Sequence, residues 1–388
     1  MIRVLIIDDS VVFRKILSEA LNREREISVV GCAVNGKEAI QKMASLRPDM
    51  AVLDVEMPEM NGLETLDAMR KRGIKTGVIM FSTLTEQGAE TTMQALERGA
   101  FDFVPKPTGT GAFSKSVERI KTELIPKIKA FAASRNGSGP MSRALPKKRV
   151  AGPQKDRPGA AARAGRERIG GRAQQSTAGM KPARPPRSVP ALSLKLKPEA
   201  VGIGVSTGGP KALNHVIPQI PANFRLPVFL VQHMPPVFTS QLAKRLNQSS
   251  KLKVVEAEDG MIVKPATVYI APGDYHMTVV SKNGLRVIDL NHDPPENSCR
   301  PAVDVLFRSL AKVYGGRVVA VIMTGMGKDG LRGAEELKRL GARIIAQDKA
   351  SSTVYGMPKA VADAGISDRI CPLEKIPGTI LEFCGHRF

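Results

Sequence analysis

The sequence contains no tryptophan, and aromatic residues account for only 4% of its 388 positions. That scarcity argues against a surface built from aromatic platforms for stacking nucleic-acid bases. Its four cysteines, Cys32, Cys299, Cys371 and Cys384, include no CxxC pair and no His/Cys cluster with zinc spacing. A thiolate metal site and a secreted disulfide framework are thereby excluded, and a reducing compartment is indicated. No apolar run approaches the roughly 18 residues of a membrane span, and Arg3-Val-Leu-Ile-Ile7 runs into two aspartates rather than a signal cleavage site. A soluble, cytoplasmic protein is expected. Acidic residues are nearly missing from one stretch: between Ser134 and Lys197, sixteen Lys and Arg face only Asp156 and Glu167, so this stretch carries two thirds of the formal net charge of +21. It also lacks aromatics and most branched aliphatics, and it is rich in Gly, Pro, Ala, Ser and Arg. Such a composition does not bury enough surface to offset its ordering entropy. A disordered basic linker is therefore expected over residues 126–195, between domains at 1–125 and 196–388.

Outside the linker the composition is that of a globular protein, with 42% hydrophobic and 24% charged residues. In the first 125 residues, short apolar runs at Val4–Ile7, Ser28–Ala33, Met50–Asp54, Gly77–Phe81 and Phe101–Val104 alternate with stretches of helical periodicity such as Phe13–Leu21 and Glu38–Leu46. Five β/α repeats predict an α/β fold with a doubly wound parallel sheet. A second set of runs, Val201–Val205, Val228–Gln232, Val254–Ala257, Val318–Met323 and Arg343–Gln347, predicts a C-terminal parallel-sheet α/β domain. Between Gly260 and Leu290 the rhythm breaks, with Thr267–Ala271, His276–Val280 and Arg286–Leu290 separated by Pro-Gly and Asn-Gly turns. An antiparallel excursion is expected there.

Open α/β sheets bind ligands at the carboxyl ends of their strands, and Asp8, Asp9 and Asp54 fall at such ends. Together they suit a hard divalent cation such as Mg²⁺. Lys106, after the fifth run, is placed to neutralise phosphoryl oxygens, and the Ser82 hydroxyl to bond a phosphate formed on one of the aspartates. Each residue alone also has a purely structural reading, since aspartates before a helix cap it and a Lys-Pro pair makes a surface turn. The ordered set, with Met57-Pro-Glu-Met-Asn-Gly62, resembles a response-regulator receiver domain. That resemblance implies Asp54 as phospho-acceptor, Asp8, Asp9 and Asp54 around Mg²⁺, and Ser82, Phe103 and Lys106 as the residues of the phosphorylation switch.

Gly204-Val-Ser-Thr-Gly-Gly-Pro210 places Ser206 in a G-x-S-x-G pattern at a strand-to-helix turn, where a serine nucleophile has backbone N–H donors close by. The same glycines permit a dinucleotide-binding loop, but Gln232-His233 stands where that reading expects a ribose-binding carboxylate. His233 follows the next strand and is a candidate base, and Asp329 in Thr324-Gly-Met-Gly-Lys-Asp-Gly330 is a candidate to orient it. His215, His276 and His292 do not follow strands, and Cys299, with no clear base near it, reads as structural. The order Ser, His, Asp differs from that of α/β-hydrolases. Ser206–Pro210, Gln232-His-Met-Pro235, Tyr269-Ile-Ala-Pro-Gly273 and Thr324–Gly330, behind a receiver-like half, resemble the chemotaxis protein-glutamate methylesterase family. This resemblance implies Ser206 as nucleophile, His233 as base, Asp329 as orienter, and the N–H groups of Met326 and Thr207 as the oxyanion hole. It implies methylated chemoreceptors as substrate, receptor glutamines as further substrates, a chemotaxis histidine kinase as phosphodonor, and no cofactor for the esterase step. Where Cys299 stands, the family pattern leads one to expect a histidine.

The rival output is noncatalytic binding of a nucleotide or nucleic acid, motivated by the glycines and the basic linker. Without interleaved aromatics or a helix-turn-helix, nucleic acid is not expected as a partner. A solvated tether is the expected linker role, with peripheral contact to anionic membrane as its runner-up. The two-domain order and the family resemblance together lead to the expectation of a gated enzyme, in which the unphosphorylated receiver packs over the C-terminal active site and phosphorylation shifts the population towards an open form.

Overall fold

The computed structural model describes residues 1–107, 113–135 and 196–386. Strands β1 (Ile2–Ile7), β2 (Ile27–Ala33), β3 (Met50–Asp54), β4 (Gly77–Ser82) and β5 (Asp102–Pro105) form one parallel sheet in the order β2-β1-β3-β4-β5. Helices α1 (Val11–Asn22), α2 (Gly36–Leu46), α3 (Gly62–Lys71), α4 (Glu86–Glu97) and α5 (Phe113–Arg135) connect and flank it. The central strands are apolar and buried on both faces, as a sheet covered by helices on both sides requires. Asn61 caps α3 by a reciprocal box: its Oδ1 accepts from Glu64 N at 3.0 Å, and Glu64 Oε2 accepts from Asn61 N at 2.9 Å.

Helix α5 runs beyond residue 125, where the linker was expected to start. Pro126 removes one backbone donor, at a cost of about 3 kcal/mol in a helix interior, but Leu124, Ile125 and Ile128 are buried in the cluster that holds α1, and this packing prevails. The expected linker residues 136–195 lie outside the described residues.

The C-terminal sheet has seven parallel strands in the order β14-β13-β12-β6-β7-β9-β8. In chain order they are β6 (Ala200–Val205), β7 (Val228–Gln232), β8 (Lys253–Glu256), β9 (Thr267–Ile270), β12 (Val318–Ile322), β13 (Arg343–Gln347) and β14 (Arg369–Cys371). The antiparallel excursion is smaller than expected: β10 (His276–Lys282) and β11 (Leu285–Asn291) form a separate hairpin, while the Thr267 run joins the main sheet as a parallel strand. The hairpin closes through Asn283 and Gly284, both with positive φ (53° and 77°), the two-residue turn whose twist matches paired strands. Helices α6 (Gly209–Val216), α7 (Phe238–Ser249), α8 (Val303–Tyr314), α9 (Leu331–Arg339), α10 (Met357–Asp363) and α11 (Ile376–Phe383) complete this half. Among the described residues, no helix is long and apolar enough to cross a membrane.

The two α/β halves meet along α4, β5, α6 and α7. Phe103 of β5 stacks on Phe238 of α7, with ring centroids 4.4 Å apart and planes within 12°. Glu97 at the end of α4 accepts from Arg245 Nε at 3.1 Å and from Asn214 Nδ2 at 3.3 Å. An aromatic stack contributes about 0.5–1.5 kcal/mol beyond area burial, and a partly exposed ion pair about 1 kcal/mol or less. These named contacts are therefore modest enough for a change in the receiver-like half to shift them.

Candidate active site

Each sheet has one strand with neighbours reached by connections in opposite directions, and the crevice at that switch point is where open α/β sheets hold ligands. In the first sheet it lies between β1 and β3, and Asp8 and Asp54 stand at its two sides. Ligand atoms of Asp8, Asp9 and Asp54 lie within 4.8 Å of one another; Asp8 and Asp54 are buried and Asp9 is exposed. Lys106 Nζ bridges Asp54 Oδ2 at 2.7 Å and Asp8 Oδ2 at 3.0 Å. Burial pushes Asp54 up to about 6; the Lys106 charge pulls it down, and the Asp8 charge adds to the rise. Burial likewise raises Asp8, while Asp54 and Asp8 keep the Lys106 ammonium protonated despite its own burial. Ser82 is fully buried at the end of β4, and its hydroxyl donates to Gly88 O at 3.1 Å, towards α4 and away from the carboxylates. Phe103 points into the junction with α7. The sequence-derived set is thus brought together, except that Ser82 and Phe103 face the α4–α7 side.

A raised carboxyl pKa has a stability consequence. Between the ordinary value of 3.8 and about 6, folded Asp54 holds a proton that the unfolded chain has lost, so stability falls as pH rises through this window. The full deficit applies above it. Asp54→Asn is therefore expected to stabilise the protein at about pH 7.5 by on the order of 2 kcal/mol, with little gain at about pH 4. Thermal melts at both pH values check this, and an equal gain at both would contradict the assignment.

In the second sheet the switch point lies between β6 and β12. Ser206 follows β6, His233 follows β7, and the pairing of Val205 with Gln232 makes Ser206 and His233 the next residues in register. Positive φ falls on Gly208 (78°), so the bend after the serine is carried by a glycine rather than by Ser206 itself. Gly325 is equally constrained: a Cβ there would lie 2.8 Å from the Ser206 Cβ. Ser206 N donates to Thr324 O at 3.0 Å, joining the two turns across the crevice. The N–H groups of Thr207 and Met326 have no hydrogen-bond partner among the described residues.

His233 Nε2 lies 2.8 Å from Asp329 Oδ2. That oxygen also accepts from Val303 N at 2.6 Å, and Asp329 Oδ1 accepts from Asn297 Nδ2 (2.8 Å), Gly330 N (2.9 Å) and Asp304 N (3.1 Å). The carboxylate thus sits at the N-terminus of α8, where exposed N–H groups favour negative charge. Burial opposes ionisation, but the His233 bond and these donors hold Asp329 below the usual carboxylate range. Being ionised, Asp329 can only accept, so Nε2 carries hydrogen and Nδ1 faces elsewhere. Burial penalises the charged ring, but Asp329 and Cys299 outweigh it and push His233 up to about 10.

Nδ1 has Cys299 Sγ at 3.5 Å, whereas no hydrogen bond joins the Ser206 hydroxyl to His233 among the described residues. The expectation that no base lies near Cys299 is therefore corrected. Asn297 was missed altogether. Its amide bridges Asp329 Oδ1 and Asp304 Oδ2, and the one signal for it was an Asn-Ser pair at a turn.

Residues 201–380 match the family model of the CheB methylesterase, and residues 4–118 that of the response regulator receiver domain. A protein-glutamate methylesterase/protein-glutamine glutaminase of Trichodesmium erythraeum is 42% identical, with 99% of each chain covered. Proteins of the same name from Desulfotalea psychrophila (44% identical, 98% of each chain) and Nocardioides sp. (45% identical, 98% of this chain and 94% of the relative) are similarly close. With a receiver region ahead of a methylesterase region and this similarity along nearly its whole length, the chain belongs to the protein-glutamate methylesterase/protein-glutamine glutaminase family.

Proposed function

We propose that this chain removes methyl groups from glutamate γ-methyl esters on chemoreceptors and deamidates receptor glutamines, under control of phosphorylation at Asp54. The observation that carries the reading is the convergence of Ser206, His233 and Asp329 at one switch-point crevice, with the Thr207 and Met326 N–H groups free beside the serine. Ser206 Oγ attacks the side-chain carbonyl carbon while His233 Nδ1 takes its proton, since Nε2 is engaged by Asp329. The oxyanion accepts from Met326 and Thr207 N–H. Methanol from the ester, or ammonia from the amide, leaves with the proton held on His233. Water then attacks the acyl-serine by the same base and frees the glutamate and Ser206.

In the receiver half, Asp8, Asp9 and Asp54 supply hard oxygen ligands, and the exposure of Asp9 leaves room for water, so the residues suit Mg²⁺. When bound, that cation screens the charge between carboxylate and incoming phosphoryl group. Lys106 neutralises phosphoryl oxygens, and Ser82 turns from Gly88 O towards the phosphate, drawing Phe103 with it. Phe103 stacks on the first residue of α7, five residues after His233, and Glu97 binds α6 and α7, the helices that follow Ser206 and His233. A change at β4–β5 therefore reaches both catalytic turns. The phosphodonor is a chemotaxis histidine kinase, and the domain division is receiver, linker and catalytic half.

The reading is tested by incubating the full-length protein with membranes carrying methylated chemoreceptors and measuring methanol. Release that rises in proportion to enzyme is expected, and no release above that of heat-inactivated protein would refute it.

A further inference from the structure

Ser206, His233 and Asp329 supply the chemistry of ester hydrolysis, and His233 has a further neighbour on its other ring nitrogen. The four-residue turn Glu296–Cys299 is closed on both sides, by Glu296 N to Cys299 O at 3.1 Å and Cys299 N to Glu296 O at 2.9 Å. Its two central residues, Asn297 and Ser298, both have positive φ (52° and 63°), a geometry usually supplied by Asn-Gly. A serine in the second position is strained, and strain of this kind is retained where the surroundings fix it. Here the Asn297 amide fixes it, held by Asp304 Oδ2 at 3.0 Å and Asp329 Oδ1 at 2.8 Å. The outcome is that the turn delivers the Cys299 thiol to 3.5 Å from His233 Nδ1.

We propose that Cys299 is a positioning residue for the ester hydrolysis: its thiol caps His233 Nδ1, the nitrogen that must accept the Ser206 proton, and so holds the base out of use until the ring is released. The inference rests on the assignment of Ser206 and His233 given above. A thiol differs from the hydroxyl of Ser206 in being acidic enough to pass its proton to an imidazole, giving a thiolate beside an imidazolium. No external reactant is needed, because the proton moves from Sγ to Nδ1 and returns when the pair separates. The raised His233 fits this arrangement.

The groups facing the ring are few. Asp329 from the loop after β12 holds Nε2, and Cys299 Sγ from the turn, which also lies 3.5 Å from Asn297 O, faces Nδ1. Behind Asp329 lie Asp304 of α8, buried and raised, and Glu296, whose carboxylate accepts from Arg308 Nη1 at 2.8 Å. Of these only Cys299 touches the nitrogen the reaction uses.

The test is the pH profile of kcat/KM for methanol release, corrected for enzyme-free hydrolysis, across about pH 6 to 11, by full-length wild type and Cys299→Ala. Removing the cap removes a group that favours the protonated ring, so the acid limb is expected to move to lower pH by about one unit. At a pH below both limbs this gives about tenfold more free base and about tenfold higher kcat/KM. A thiol that only fills space leaves the limb in place, and an unmoved limb overturns the proposal. Should Cys299→Ala fail to fold, the pair is read from the other side, by iodoacetamide labelling at about pH 7 followed by peptide mapping. Cys299 is expected to react about tenfold faster in wild type than in His233→Gln, and equal rates overturn the proposal.

Ser206→Ala distinguishes failure of the capping role from failure of the nucleophile assignment. An inactive Ser206→Ala with an unmoved Cys299→Ala limb sinks the capping role alone. If Ser206→Ala retains release and a second change at Cys299 abolishes it, the thiol is the nucleophile, and both the assignment and the capping role fail.

Discussion

Ser206→Ala is expected to lower methanol release from methylated receptors by at least about 10⁴-fold while leaving the fold intact. The size follows from the chemistry: a serine that forms the acyl intermediate has no substitute when its hydroxyl is gone, and the remaining donors act only on binding and the oxyanion. The fold should tolerate the change because Ser206 contributes structure through its backbone, with N to Thr324 O and O from Gln232 Nε2 at 3.0 Å, and not through its hydroxyl. Thermal melts of the variant should therefore match those of wild type. A variant that melts normally and still releases methanol within tenfold of wild type would remove Ser206 from the mechanism.

Asp329→Asn is expected to be nearly as severe, by about 10⁴-fold in kcat, and also to destabilise the protein. Both oxygens of this carboxylate accept: Oδ2 from His233 Nε2 and Val303 N, Oδ1 from Asn297 Nδ2, Asp304 N and Gly330 N. An asparagine amide has one acceptor end and one donor end. Whichever way it turns, its NH₂ meets donors, either the backbone N–H groups and Asn297 on one side or Val303 and the imidazole on the other. Leaving buried donors unpaired costs about 1–3 kcal/mol each, and a flipped tautomer puts hydrogen on the nitrogen that must be bare. Melting temperature and kcat should fall together in this variant, in contrast to Ser206→Ala. Loss of less than tenfold in kcat would show that Asp329 does not orient the base.

Much of this architecture is legible in the sequence for identifiable reasons. Strands β3 and β7 are buried on both faces and read as uninterrupted apolar runs with polar residues at their carboxyl ends. Because ligands of open α/β sheets gather at those ends, Asp54, Ser206, His233 and Asp329 can be placed before any coordinates are known. Strand direction is harder. The Thr267 run carries the same pattern whether it pairs parallel or antiparallel, and only its insertion between β7 and β8 decides the matter. Strand β14 is three residues at a sheet edge, too short to show periodicity. The continuation of α5 past Pro126 depends on burial of Ile128 against the first sheet's core, which no local preference reveals. Cys299 and Asn297 were illegible for a related reason. They reach His233 and Asp329 across 66 and 32 residues of chain, through a turn whose left-handed serine the local sequence does not announce.

Phosphorylation at Asp54 is proposed to control hydrolysis at Ser206 through the face formed by α4, β5, α6 and α7. The most direct measurement is the rate of methanol release from methylated chemoreceptor membranes by full-length wild type and Asp54→Asn, each with and without a small-molecule phosphodonor and Mg²⁺. The donor is expected to accelerate wild type by at least about tenfold, within the usual range of coupling between sites, and to leave Asp54→Asn at its basal rate. Equal acceleration of both proteins, or none in wild type, would contradict it.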